Sequence, residues 1–137
     1  MKEHKSFKPF QIRWREVLCH GKTPYLYRWS FIFFNYSIRI HHWIGSDVGP
    51  HFHDHPNDFV SFLFWGSYTN VTPTGSKHIT APSIWYAAGD KQHRLEIPEG
   101  GAWTILLCGR PYRKWGFWVN NHLWRPLRYF HKFGSKA

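Results

Sequence analysis

The stretch GPHFHDHPNDFVSFLFWG, residues 49–66, sets His51, His53 and His55 on alternate positions. In an extended chain alternate side chains share one face. These imidazoles therefore point one way and Phe52 and Asp54 the other. Imidazoles paired on one strand face make half of a metal site. Pro56 removes a ladder donor, so the strand ends there and a further ligand must come from a distant segment. His93, in AAGDKQHRLEIP, is the candidate. Asp58 either supplies a carboxylate to the ion, orients an imidazole from behind, or is a turn residue before the next strand. Three imidazoles, or imidazoles with one carboxylate, leave open positions on Fe(II), Zn, Ni, Mn or Cu. Imidazole binds metal only when neutral, so affinity should fall below roughly pH 6.

The elements that must hold these residues read as short strands. Aromatic residues make up 20% of the 137-residue chain, with nine Trp and twelve Phe. Aromatics favour strands, and the good helix formers Ala and Met are scarce. TPYLYRWSFIFFNY (23–36) reads as a strand after a proline turn. SIRIHHWIG (37–45) alternates apolar and polar residues with the period of a half-buried strand. SDVGP (46–50) is a turn and FVSFLFWG (59–66) a buried strand. KHITAPSIWYAAGD holds one or two strands, RLEIPEGG and AWTILLCGRP one each, and KWGFWV another. The first nineteen residues read as irregular, with a short helix over QIRWREVLC. Some eight strands between Gly, Pro and Asp turns predict a sandwich or barrel in one domain spanning 1–137, with its barrel core over about 23–130.

HDHPNDFVSFLFWG, followed about forty residues later by GDKQHRL, resembles the cupin superfamily over about residues 37–110. The family's first motif is H-x-H, three or four intervening residues, a Glu, then six residues and Gly. Its second motif carries the last His in a Pro-x-Gly-x-x-His setting. Both lie in the mouth of a small jelly-roll barrel. Two registers fit. With His53 and His55 as the pair, the family's Glu falls on Phe59 and the carboxylate ligand is missing. With His51 and His53, Asp58 takes the Glu place and one residue too many precedes Gly66, as a bulge would allow. The first register is preferred. The second motif departs too, since Gly89 is one residue early and its proline is absent.

The resemblance implies an all-β, single jelly-roll barrel of cupin type. It implies one divalent ion on His53, His55 and His93, with His51 and Asp58 as alternates. A three-histidine set resembles the thiol dioxygenases, which makes Fe(II) the first choice and Zn, Mn or Ni the others. In that reading an acid substrate chelates the ion and dioxygen is activated beside it. Arg39 would hold the substrate carboxylate through a bidentate contact. Arg94 is poorer, because alternation turns it away from His93. If Asp58 is a ligand, a Lewis-acid sugar or acid isomerase or decarboxylase is the better reading. Trp65, Trp85 and Tyr86 either line the substrate pocket or belong to the core.

The formal net charge of +10 opens a different class. No acidic residue occurs from Gly100 to the end of the chain, and Lys2, Lys5 and Lys8 add cations at the start. RPYRKWGFWVNNHLWRPLRYFHKF interleaves Arg and Lys with aromatics, as single-stranded nucleic-acid binders do. The alternative function is thus a non-catalytic cupin module binding an anionic partner, an accessory or assembly protein of the kind found in phage genomes. No hydrophobic run suits a signal peptide or membrane span. Two cysteines, Cys19 and Cys108, do not form a disulfide framework. A cytoplasmic setting and a small-molecule substrate are expected, with a homodimer through TPYLYRWSFIFFNY as a further expectation.

Overall fold

A computed structural model describes residues 9–46 and 50–133. The turn expected at 46–50 falls largely outside them, as do Lys2, Lys5 and Lys8. Eleven antiparallel strands and one helix follow in order among the described residues: β1 Phe10–His20, β2 Thr23–Phe33, β3 Tyr36–Trp43, β4 Phe52–His53, β5 Phe59–Thr72, β6 Gly75–Thr80, β7 Ser83–Ala87, β8 Arg94–Glu96, β9 Ala102–Cys108, β10 Phe117–Val119, β11 His122–Trp124 and α1 Pro126–Phe133. Among these residues no helix is long and apolar enough to cross a membrane.

The strands form the all-β jelly-roll barrel expected. The main wall runs β1-β2-β3-β9-β5, with β7 on the far edge of the first half of β5. The second half of β5 pairs instead with β6 and β8. The strand changes partners at Gly66, whose φ is +87° and where a Cβ would lie 2.3 Å from the Gly101 carbonyl oxygen. Only glycine permits both the left-handed backbone and that approach. A register shift between Leu63 and Trp65 adds the bend. A smaller sheet, β11-β10-β4, lies beside the second half.

Registered rows across the main wall show which side is inside. One row, Arg13–Ser30–Arg39–Leu106–Ser61–Trp85, faces the interior. The next inward row is Glu16–Arg28–His41–Thr104–Leu63–Ser83. Of the outward rows, Trp29–Ile40–Ile105–Phe62–Ile84 lies between these two and Ile12–Phe31–Ile38–Leu107–Val60–Tyr86 lies on the far side of the first. A sheet packed on one face ordinarily turns its apolar alternation inward. This wall does the reverse over much of its area. The apolar core gathers at one end, around Leu26, Trp43, Leu63, Tyr68, Leu95 and Phe117.

Two expectations are corrected. The helix placed on QIRWREVLC is part of β1, which pairs with β2 along its length. The register shifts between Arg13 and Glu16, where Arg15 has a φ of +49°. That bulge breaks the period-2 alternation, which is why the segment looked irregular. Because β1 covers β2, TPYLYRWSFIFFNY is not an edge strand. At the other end the basic aromatic tail forms β11 and then α1, which opens on Pro126, a residue suited to a first helical position. Tyr129 on α1 is fully buried and stacks on Phe117 with ring centroids 3.9 Å apart.

Candidate metal centre

His53, His55 and His93 come together where β4 meets β8. His53 and His93 exchange both backbone hydrogen bonds, at 3.0 and 2.9 Å. The His55 N–H donates to the Gly89 carbonyl at 2.9 Å. A Cβ on Gly89 would lie 2.9 Å from the His55 carbonyl oxygen, so glycine lets this loop close against the histidine strand. The three rings form a near-equilateral triangle with centroids 5.0 Å apart on every side. One ligand nitrogen from each lies within 4.8 Å of the others.

Asp54, between the two strand histidines, points the opposite way as alternation requires, into a fully buried pocket. It accepts hydrogen bonds from the Gly116 N–H at 2.9 Å and Trp118 Nε1 at 3.0 Å, and an Arg113 guanidinium nitrogen stands 2.9 Å from it. Arg113 also donates to the His55 carbonyl at 3.1 Å. One ion pair thus locks the backbone from which His53 and His55 project.

The donors suit a divalent cation. Burial first, then the neighbouring His53, holds the pKa values of His55 and His93 well below the ordinary histidine value. Both rings are therefore neutral at neutral pH and have a lone pair to give. His93 Nδ1 lies 2.7 Å from Asn70 Oδ1. With Nδ1–H donating to that oxygen, the lone pair is on Nε2. The buried Nδ1 of His55 has no hydrogen-bond partner among the described residues.

The other sequence candidates lie apart from this triangle. His51 Nδ1 is 2.9 Å from the Tyr129 hydroxyl, against α1. Asp58 accepts from the Tyr112 hydroxyl at 2.6 Å, the Gly89 N–H at 2.8 Å and the Tyr86 hydroxyl at 3.1 Å. The Tyr112 bond, followed by the Gly89 bond, lowers its pKa. Asp58 is a clasp on the Gly89 loop, outside the histidine cluster. Phe59, at the family's carboxylate position, is buried with its ring 4.8 Å from that of His55. Arg94 pairs with Glu96 at 2.7 Å.

The triangle opens on a cavity of about 520 Å³ that Arg39, Arg28, Arg13 and His41 also line. Burial, then the nearby Arg28 guanidinium, lowers the Arg39 pKa. Arg39 Nε donates to the Ser37 hydroxyl at 3.2 Å. The carboxylate that acts on Arg39 is Glu16, already 3.1 Å from Arg28 and 3.9 Å from Arg13. Three guanidiniums thus share one carboxylate. Both ring nitrogens of His41 and the Thr104 hydroxyl are buried with no hydrogen-bond partner among the described residues. Such groups cost stability unless a polar partner satisfies them. Trp85 faces this cavity, its Nε1 donating to the Tyr68 hydroxyl at 2.8 Å, whereas Tyr86 faces outward.

Sequence reasoning missed Asn70, Arg28 and His41. For His41 the signal was present: Arg39 and His41 are two apart on one strand and share a face. Nothing in the sequence marks Asn70.

No protein-family profile matches the sequence, and no curated protein sequence does either. Solved structures do share the fold. FeII HppE matches with a TM-score of 0.57 at 9% identity, over 69% of this chain and 56% of that one. An oxalate decarboxylase matches with a TM-score of 0.53 at 14% identity, over 80% and 31%. KdgF from Halomonas sp. matches at 0.52 and 15% identity, over 64% and 80%. The alignment thus spans about half of the first protein and about a third of the second. The fold they share with this chain is the cupin fold.

Proposed function

We propose that this chain is a mononuclear metal-dependent enzyme acting on a small organic acid, with an iron(II) dioxygenase as its specific activity. The observation that carries the reading is the triangle of His53, His55 and His93 on a cavity that also holds arginines in excess of carboxylates. An Fe(II) ion held by the three imidazoles would supply a Lewis acid and an electron donor to dioxygen. The remaining work belongs to the chain. Arg39 binds the carboxylate of the acid, with Arg28 adding positive potential behind it. Asn70 fixes the tautomer of His93. Phe59 keeps the donor set all-nitrogen and the site dry. His41 and Thr104 offer polar contacts to the bound acid. That one of the solved structures sharing this fold is an FeII form supports the choice of iron.

The isomerase or decarboxylase reading needs a carboxylate ligand, and the oxygens of Asp58 are taken by Tyr86, Tyr112 and Gly89. The nucleic-acid reading needs exposed rings; of those in the aromatic tail Phe117 and Tyr129 are buried, while Tyr112 and Phe133 are exposed, so that reading keeps only part of the stacking surface it needs.

Elemental analysis tests the proposal, comparing the wild-type chain with a His53→Ala/His93→Ala variant. About one transition-metal ion per wild-type chain and none per variant chain is expected. Oxygen consumption on addition of small acids then separates the dioxygenase from a Lewis-acid enzyme. A wild-type chain that takes up no Fe(II), Zn, Mn or Ni on reconstitution overturns the reading.

A further inference from the structure

We infer that the acid bound in this cavity carries two anionic groups: one meets Arg39 beside the histidine triangle, and the second meets Arg28 and Arg13 further along the wall. The inference rests on the enzyme reading above and names its substrate class. No Asp or Glu among the described residues lines the cavity, whereas Arg13, Arg28 and Arg39 all do. Glu16 stands 3.1 Å from Arg28 and 3.9 Å from Arg13. Three guanidiniums against this one carboxylate leave two positive charges on the wall. A monoanion cancels one and shields the other from water, and an unpaired buried charge is costly. A dianion cancels both. A divalent ion on the triangle would raise the demand for negative charge further.

The wall sets the spacing. Arg39, Arg28 and Arg13 lie on β3, β2 and β1, successive strands leading away from β5, against whose Phe59 the His55 ring packs. Strands are about 5 Å apart, so acid groups held one to two strands apart are joined by a few carbons. Polar groups lie among the arginines. Ser30 stands between Arg13 and Arg39 in one inward row, and His41 stands between Arg28 and Thr104 in the next. The Ser30 hydroxyl, both His41 ring nitrogens and the Thr104 hydroxyl are buried with no hydrogen-bond partner among the described residues. Burial, then Arg28 and Arg39, hold the His41 pKa well below its ordinary value. That ring is therefore neutral and offers an N–H without adding charge. An apolar tail on a monoacid would leave Ser30 and the free edge of Arg28 without partners. Arg13 keeps 43% of its side chain exposed and Arg28 23%, so the second anionic group lies on the solvent side.

Isothermal titration of the full chain, metal-free and after Zn(II) loading, tests this with matched acids: succinate against butyrate, glutarate against pentanoate and adipate against hexanoate. At least one diacid should bind about 10- to 100-fold more tightly than its partner, the worth of a charge-assisted contact. The pair 3-phosphoglycerate and glycerate identifies the second group. A larger gain there than for any diacid assigns a phosphorylated acid, and a smaller one assigns a dicarboxylate. Arg28→Met and Arg13→Met, shown by circular dichroism to be folded, should each lower the ratio within a pair at least about 5-fold. Arg28→Lys keeps the charge beside Glu16 without the planar fork; it replaces a variant that is not folded and should also lower the ratio. Matched acids that bind the wild-type chain equally, or not at all, overturn the inference, as does a ratio that the folded variants leave unchanged. The enzyme reading fails separately, on metal content: a chain that takes up no ion yet prefers the diacid in its metal-free form keeps the dianion site and loses the metal.

Discussion

Asn70 Oδ1 stands 2.7 Å from His93 Nδ1, joining the second half of β5 to the histidine that completes the triangle. The bond directs the His93 lone pair and fixes the ring's rotation. Asn70 is thus a positioning residue. Asn70→Leu should weaken divalent-metal affinity about 10- to 100-fold, read by chelator competition. Asn70→Asp keeps an acceptor at the same place and should restore most of it. Equal loss in both variants would show that the residue matters for folding alone.

Arg39 faces the cavity with its nearby carboxylate shared among three guanidiniums. Arg39→Met should leave metal content unchanged and weaken the binding of small carboxylates about 10- to 100-fold, the worth of a charge-assisted contact. Isothermal titration against the metal-free protein measures this without turnover. Equal affinity for an acid and its neutral amide would remove Arg39 from the substrate site.

Asp54 is fully buried and paired with Arg113 at 2.9 Å. Asp54→Ala leaves that guanidinium without its carboxylate and two donors, Gly116 N and Trp118 Nε1, without their acceptor. Such a loss costs about 3–5 kcal/mol. Denaturant midpoints measure it. A cost below about 1 kcal/mol, the range of exposed pairs, would mean that the pair is solvated and does not hold the histidine strand.

The metal-free protein should lose stability as the solution turns acid. His41, His55 and His93 all have folded-state pKa values well below the ordinary 6.5, chiefly through burial. When pH falls through 6.5 the unfolded chain takes up protons that the folded chain refuses. Stability is therefore level above that pH with respect to these groups. It declines below it until the folded-state values are reached. Each group adds up to about 1.4 kcal/mol per pH unit to the slope. Denaturation midpoints on either side of pH 6.5 check the sign, and His41→Gln should flatten the curve. A midpoint that rises on acidification would contradict the burial of these rings.

Much of the histidine strand was legible in the sequence. Alternation placed His53 and His55 on one face and Asp54 on the other, because side-chain direction in a strand depends only on local backbone. Most strand positions followed from turn residues and apolar runs. The β1 strand did not, because its bulge broke the alternation. Nor did α1, whose ring-and-cation pattern fits an extended basic tail as well as a helix that buries Tyr129.

What the tertiary structure alone decided is which face became the inside. SIRIHHW alternates apolar and polar residues equally well for either choice. Packing on an apolar core would bury Ile38 and Ile40. The barrel closes the other way, and it is Arg39 and His41 that line the cavity. Asn70 reaches His93 only because β5 bends at Gly66 and carries its second half across to β8. The period of a strand is a local property of its backbone. The inside of a barrel is set by closure between segments far apart in the chain, and no window of sequence contains it.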